Sequence, residues 1–167
     1  LAMAGEPIYL KMPRIVKVDL QGTLPIGVSA KDIVLEMLRR ETVKGGVGKI
    51  YEYTGEGLSC LSIYDRSTIT NMVAEMGATT SVFPSDEVVH QFFINQQREE
   101  DWIELLPDED AHYDEVIIIN LNDLMPLVAQ PDMPDNVIAI KDLPTQVKID
   151  QVFIGSCTNA SYTDLAK

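Results

Sequence analysis

One cysteine near the end of the chain stands where a metal ligand could lie. Cys157 follows a short apolar run at 151–154 and the pair Gly155 and Ser156, and a new helical pattern starts at 161. This order predicts a strand followed by a loop, and open α/β sheets place their sites at the carboxyl ends of strands. A lone cysteine is more often a buried thiol than a ligand, so these residues alone leave both interpretations open.

A polar pair on a predicted helix is the second set of residues that could do chemistry. Apolar residues recur at i, i+3, i+4 and i+7 within 68–76, which predicts a helix packed through Ile69, Met72, Val73 and Met76. Asn71 and Glu75 are four residues apart, so they share a face that points away from the packed one. An amide and a carboxylate at this spacing fit either a solvated surface or a polar ligand site.

Three motifs, in this order, resemble the aconitase family of iron–sulfur hydro-lyases. They are Lys-Gly-Gly-Val-Gly at 44–48, the stretch from Thr-Asn-Met-Val-Ala-Glu at 70–75 to Phe-Pro-Ser-Asp-Glu at 83–87, and Ile-Gly-Ser-Cys-Thr-Asn at 154–159. The resemblance runs over nearly the whole chain. It implies that the chain is a fragment of a larger multidomain enzyme, covering the middle domain of an aconitase and the start of the next iron–sulfur domain.

The resemblance implies a 4Fe-4S cluster in the full-length protein, with Cys157 as its first cysteine ligand. The family's other two ligands form a C-x-x-C pair that would lie beyond Lys167, and three thiolates leave one iron open as a Lewis acid. Cys60, the other cysteine of the chain, is predicted to be a small buried hydrophobe. We therefore expect the isolated chain to hold no cluster and to be inactive.

The chemistry that the resemblance implies is dehydration and rehydration of a hydroxy-polycarboxylate. Asn71 and Glu75 would face the interdomain cleft as catalytic residues, and Glu75 would act on the hydroxyl or water at the open iron. The family's serine base and its arginine clamp for substrate carboxylates would lie outside this chain. The motif departs from the family at Val73, where glycine is common, and this change on the packed face leaves the polar pair intact.

The residues at 81–87 favour aconitate hydratase within the family, the enzyme that isomerises citrate and isocitrate through cis-aconitate in the tricarboxylic acid cycle. The 3-isopropylmalate and homoaconitate dehydratases are the alternatives, because the contacts that distinguish substrates by length would lie outside this chain. The expected partners are a small tricarboxylate and the remaining domains of the same polypeptide.

RNA binding and a non-catalytic binding domain are the alternatives from other classes. The chain carries 13 Lys and Arg against 26 Asp and Glu, a net charge of −13. Phosphate backbones are bound by clustered cations, so no nucleic-acid partner is expected. Two distant cysteines form no disulfide framework, which favours a reducing, cytoplasmic location. No apolar run reaches the roughly 20 residues that a bilayer requires, so no membrane partner is expected.

Alternating strand and helix patterns position these residues. Strands are predicted at 15–20, 50–53, 79–83 and 113–120, and helices at 30–40, 68–76 and 86–96. Ser29 with Asp32 predicts a capping box, Gly77 a left-handed helix end, and Ser85 the cap of the third helix. The alternation predicts an α/β fold, which the resemblance makes a three-layer α/β/α domain with a largely parallel sheet.

Composition divides the chain into three parts. Residues 1–124 are predicted to form the aconitase-like middle domain, and 125–146 a proline-rich connector without regular elements. Residues 147–167 would supply the first strand, the cysteine loop and a truncated helix of the following domain. The glycines at 44–48 fit a tight helix-to-strand turn better than a phosphate loop, which requires a glycine at position 43 and Ser or Thr after Lys49.

Overall fold

Strands and helices alternate along the chain and build an α/β fold. The computed structural model describes residues 2–9, 11–144, 147–156, 158, 160 and 162–166, without the side chains of Ala2 and Thr163. The elements in chain order are β1 (Arg14–Gln21), α1 (Ala30–Glu41), β2 (Lys49–Thr54), α2 (Ile63–Met72), β3 (Thr80–Val82), α3 (Glu87–Asn95), β4 (Glu115–Asn120), β5 (Leu127–Ala129), β6 (Val137–Ala139) and α4 (Tyr162–Leu165). No helix of this described part is long and apolar enough to cross a membrane.

The first four strands form one parallel sheet in the order β3-β2-β1-β4. In the centre of the sheet, Val18 of β1 lies opposite Tyr53 of β2 on one side and Ile117 of β4 on the other. Each crossover between these strands passes through a helix, the usual way to join parallel strands. The predicted α/β class with a parallel sheet is confirmed.

One face of the sheet carries the core of the molecule. Alternate residues of β1, β2 and β4 are fully buried there against apolar side chains of α1 and α2; they are Val16, Val18, Leu20, Tyr51, Tyr53 and Ile119. The strand predicted at 113–120 forms as β4, but it is buried on one face only. Val116 and Ile118 are 55% and 54% exposed, because alternate residues of a strand point to opposite faces and the second face is open at β4.

The predicted capping box at the start of α1 is confirmed and reaches further than the helix itself. The backbone N–H and the hydroxyl of Ser29 donate to Asp32 Oδ2 at 2.7 and 3.0 Å. The other oxygen of Asp32 accepts the backbone N–H of Leu127, the first residue of β5, at 2.8 Å. Asp32 is 6% exposed, so this single carboxylate both caps α1 and holds β5 against it.

Replacing Asp32 by alanine should destabilise the chain by about 2 kcal/mol, because it removes a helix cap and leaves a half-buried amide without its acceptor. Asp65 is the matched control, since it closes the same kind of capping box on Ser62 at the start of α2 without a distant partner in that box. Asp65→Ala should cost about 1 kcal/mol. Urea unfolding midpoints would compare the two, and equal losses would contradict the second role of Asp32.

The second and third helices begin at different residues from those predicted. Helix α2 starts at Ile63, because Ser62 and Asp65 form the capping box described above, and its last turn tightens into a 3₁₀ turn at Val73–Met76. Gly77 ends this turn in the left-handed conformation at φ 73°, as predicted. Asp86, rather than Ser85, caps α3 by accepting the amides of Val88 and Val89.

The segments on either side of residues 145 and 146 also differ from prediction. The proline-rich stretch contains an antiparallel hairpin of β5 and β6, which packs on α1, with Pro126 before β5 and Pro131 and Pro134 in the turn. These prolines flank the strands and so remove no ladder hydrogen bond. The strand predicted within 147–154 does not form, and its apolar side chains are exposed.

Candidate functional site

The polar face of α2 is the centre of the candidate site. Thr68, Asn71 and Glu75 recur at i, i+3 and i+7, so they line up along one side of the helix and its terminal 3₁₀ turn. We call these three residues the polar stripe. Asn71 and Glu75 are exposed, and the predicted packed residues beneath them, Ile69, Met72, Val73 and Met76, are all buried.

The loop that carries the cysteine motif lies against the polar stripe. The hydroxyl of Thr68 donates to the backbone carbonyl of Thr158 at 3.1 Å, across 90 positions of sequence. A cavity of about 250 Å³ opens beside this bond, lined by Tyr64, Ser67, Thr68, Ser156, Thr158, Ala160 and Asp164. Cys157 and Asn159 lie outside the described residues, so the structure places the neighbours of the predicted ligand and not the ligand itself.

The residues present fit one corner of a cluster site. Among the residues that the structure describes, no group of three or more His, Cys, Asp or Glu side chains could hold a metal ion. The loop that carries the cysteine in sequence accepts a hydrogen bond from the Thr68 hydroxyl, and a thiolate is the usual protein donor to an iron–sulfur group. The remaining ligands of such a group would have to come from outside the described residues.

Cys60 is exposed, so the prediction that it is a buried hydrophobe was wrong. It is the last residue of a 3₁₀ turn, Glu56–Cys60, in which Leu58 takes the buried position. The Cys60 thiol turns outward and donates to the carbonyl of Gly57 at 3.1 Å. Burial within a short apolar run depends on which way the turn faces, and residue types do not specify that direction.

The polar stripe extends away from the carboxyl ends of the strands, where open α/β sheets place their sites. Helix α2 runs antiparallel to the strands, so it starts near the carboxyl end of β2 and finishes near the amino end of β3. The glycine turn at 45–48 lies at that amino edge, with the Gly46 amide donating to Met76 O and Thr79 N donating to Lys49 O, both at 2.9 Å. Glu75 therefore lies beside the amino ends of the strands.

The glycine turn confirms the turn interpretation of residues 44–48. Gly48 has φ 71°, and a Cβ added at Gly46 would come within 2.9 Å of the backbone at Ala78. Glycine is required at Gly46 because two backbone segments meet there. This contact supports the 3₁₀ turn that carries Glu75.

A buried ion pair, which the sequence analysis did not single out, anchors the other side of α2. Both Arg66 Nη atoms donate to the Asp86 carboxylate at 2.8 Å in a two-pronged pair, and Arg66 is 2% exposed. Burial by itself raises the pKa of Asp86, but hydrogen bonds and charge from Arg66, together with the amides of Val88 and Val89, hold it below its ordinary value. Arg66 lies before the predicted start of this helix at 68, so the sequence prediction assigned it to no helix face; in the structure the helix starts at Ile63.

The sheet, the polar stripe and the adjoining loop define an α/β protein with a candidate polar ligand site on its second helix. The family model of the aconitase family (aconitate hydratase) matches residues 1–167. The chain therefore belongs to the aconitase family.

Curated relatives carry two different names. The chain is similar to the 3-isopropylmalate dehydratase large subunit 1 of Thermotoga maritima, 42% identical over 94% of this chain and 38% of that protein. It is similar to the corresponding large subunit of Caldanaerobacter subterraneus, 41% identical over 98% of this chain and 38% of the relative. It is also similar to the mitochondrial aconitate hydratase of Saccharomyces cerevisiae, 40% identical over 99% of this chain and 23% of the relative.

The chain spans well under half the length of these relatives. The alignments also differ in length. The comparison with the yeast aconitate hydratase extends over 182 positions, which exceeds the 167 residues of this chain, so the relative carries at least 15 positions that this chain lacks. The alignment with the Caldanaerobacter dehydratase subunit extends over 164 positions, which is no longer than this chain.

Proposed function

We propose that the full-length protein is an iron–sulfur hydro-lyase that removes and adds water on a hydroxy-polycarboxylate. The observation that carries this proposal is the docking of the cysteine-motif loop on the polar stripe, through the 3.1 Å bond from Thr68 to Thr158. Asn71 and Glu75 share the helix face of Thr68, which supports assigning them to the site of a hydro-lyase. The isolated chain is proposed to be inactive, because it holds a single candidate thiolate in that loop.

The residues of this chain would share the work as follows. Cys157 would be one thiolate ligand of a 4Fe-4S cluster, and the other ligands would come from outside this chain. When bound, the cluster would supply Lewis-acid assistance to departure of a hydroxyl group. The Asn71 amide can both donate and accept a hydrogen bond, so it can orient a substrate oxygen. The Glu75 carboxylate can hold or release the proton of a hydroxyl or water beside it.

We propose the predicted domain division as well, with one refinement. Residues 1–124 would form the middle domain, 125–146 the connector, and 147–167 the beginning of the following domain. The exposed apolar side chains within 147–154 support the last boundary, because they find no packing partner among the described residues of the preceding domain. The hairpin of β5 and β6 packs on α1, so we propose that this part of the connector moves with the middle domain.

Two substrates fit the proposed reaction, and a separate observation favours each. The Phe-Pro-Ser-Asp-Glu segment at 83–87 favours the citrate and isocitrate pair, a tricarboxylate substrate. The alignment with the Caldanaerobacter dehydratase subunit, which is no longer than this chain, favours an isopropylmalate-type substrate, a dicarboxylate with an apolar branch. A hydrophobic pocket suits the apolar branch of isopropylmalate, and an arginine site suits the third carboxylate of citrate. Each pocket discriminates strongly against the other substrate, because the wrong pairing would leave a charge unpaired.

Purified full-length protein, loaded with iron and sulfide, should hydrate one of the two unsaturated intermediates and discriminate against the other by about 100-fold or more in kcat/KM. The measurement is the loss of ultraviolet absorbance of cis-aconitate or of dehydrated isopropylmalate at matched concentrations. The unloaded protein is the control and should be inactive. Turnover of neither compound, or equal turnover before and after loading, would contradict the proposal.

A further inference from the structure

The buried pair of Arg66 and Asp86 joins α2 to the segment between β3 and α3. Besides its two bonds to Asp86, Arg66 donates to the backbone carbonyl of Leu58 at 3.2 Å and to that of Pro84 at 3.4 Å. Its guanidinium carbon lies 5.6 Å from the centre of the Phe83 ring. One side chain therefore contacts the turn before α2 and the whole link after β3.

This arrangement continues into the core of the domain. The Phe83 ring stacks on Tyr53 of β2 with centroids 4.4 Å apart and planes 7° apart. The hydroxyl of Tyr53 points at the sulfur of Met37 on α1, at 3.2 Å. Tyr53 is fully buried and Phe83 is partly buried, and Arg66 itself is 2% exposed. Close packing of this kind restricts the guanidinium, so Arg66 limits the sliding and rotation of the first half of α2 on the sheet.

The polar stripe lies on the opposite side of the same helix. Thr68, its first member, follows Arg66 by two residues, which turns its side chain by roughly 200° on an α-helix. A rotation or slide of α2 about the arginine would move Thr68, Asn71 and Glu75 together, relative to the cysteine-motif loop.

We propose that Arg66 and Asp86 are positioning residues for the polar stripe, setting the geometry in which Asn71 and Glu75 meet the substrate. This inference rests on the proposed hydro-lyase function. Arg66 is too deeply buried to contact a ligand itself. Misplacement of a catalytic group by about 1 Å can lower a rate about 100-fold, so a remote anchor can control turnover.

The decisive variant is Arg66→Met combined with Asp86→Asn in the full-length, cluster-loaded protein. Asparagine preserves the cap of α3, and removal of both charges leaves no buried ion unpaired, so the double variant is expected to fold. Arg66→Lys is the conservative variant, which preserves the charge but loses the two-pronged geometry. The control is Arg98→Met with Asp101→Asn, an exposed pair at 2.8 Å whose side chains are 62% and 50% exposed.

The double variant should retain its visible cluster absorbance and lose about 10- to 100-fold in kcat with KM changed less than about 3-fold. Arg66→Lys should show a smaller loss, and the control pair none. Amide hydrogen exchange should quicken at 68–75 and stay unchanged in α1. An unchanged kcat with a lowered melting temperature would show a purely structural pair, and a raised KM with unchanged kcat would show substrate contact; either result overturns the inference.

The exchange measurement separates this inference from the proposed function. If the unsubstituted full-length protein turns over neither candidate substrate, the hydro-lyase proposal fails by itself. Exchange at 68–75 then decides whether the pair positions the stripe. Unchanged exchange in both Arg66 variants would overturn the positioning role whatever the activity of the parent protein. The same conclusion would follow if the control pair altered exchange at 68–75 as much as the buried pair does.

Discussion

Glu75→Gln in the full-length protein is expected to lower kcat by about 10²- to 10⁴-fold, the usual contribution of a positioned acid or base. Glutamine has nearly the same shape and still accepts a hydrogen bond, so the variant removes proton transfer and charge and leaves packing alone. Glu75 is exposed, above the buried Met72 and Met76, so the substitution should not affect folding. Cluster absorbance should remain, while turnover is lost.

Glu104→Gln is the matched control, because it changes another exposed carboxylate at a distance from α2 in sequence. Its kcat should equal that of the unsubstituted protein. Asn71→Asp offers a second test on the same helix face, since it preserves size but replaces a donor by a charge, and it should lower activity as well. Full activity of Glu75→Gln in cluster-loaded protein would remove Glu75 from the catalytic residues.

Cys157→Ser should abolish the cluster and the activity together in the full-length protein. A serine hydroxyl is a poor replacement for a thiolate ligand of iron, and a cluster held by three thiolates has no spare ligand. The measurement is the broad visible absorbance after reconstitution with iron and sulfide, followed by the turnover assay. We expect absorbance at the level of the unreconstituted protein, with the melting temperature of the cluster-free protein unchanged.

Cys60→Ser is the control for this substitution and should spare both cluster and activity. The Cys60 thiol is exposed and donates a hydrogen bond to the carbonyl of Gly57. Cys60 ends the turn that precedes Ser62, the N-cap of the helix that carries the polar stripe. Because Cys60 is exposed, the relative rate of thiol labelling does not identify the ligand, and cluster retention is the measurement that does. A catalytic cluster in Cys157→Ser would show that another residue holds the iron.

The features that sequence alone determined are those whose physical causes are local. Strand β1 follows from a β-branched run, and α1 from its capping box, since Ser29 and Asp32 are three residues apart and need no distant partner. The left-handed end at Gly77 follows from the lack of a side chain. The shared face of Asn71 and Glu75 follows from helical periodicity. The motifs around these residues also identified the family, which the comparison confirmed.

Tertiary structure decided the features that depend on what lies across the sheet. Asp86 is an ordinary helix cap by its position in sequence, and only packing brings it to Arg66, 20 residues away. The hairpin in the proline-rich stretch forms because Asp32 and α1 offer it a partner, whereas local composition favours a connector. Glu75 lies at the amino ends of the strands because α2 runs antiparallel to them. Each of these outcomes depends on contacts between distant segments, and local sequence preferences do not specify which distant segment will pack against a given one.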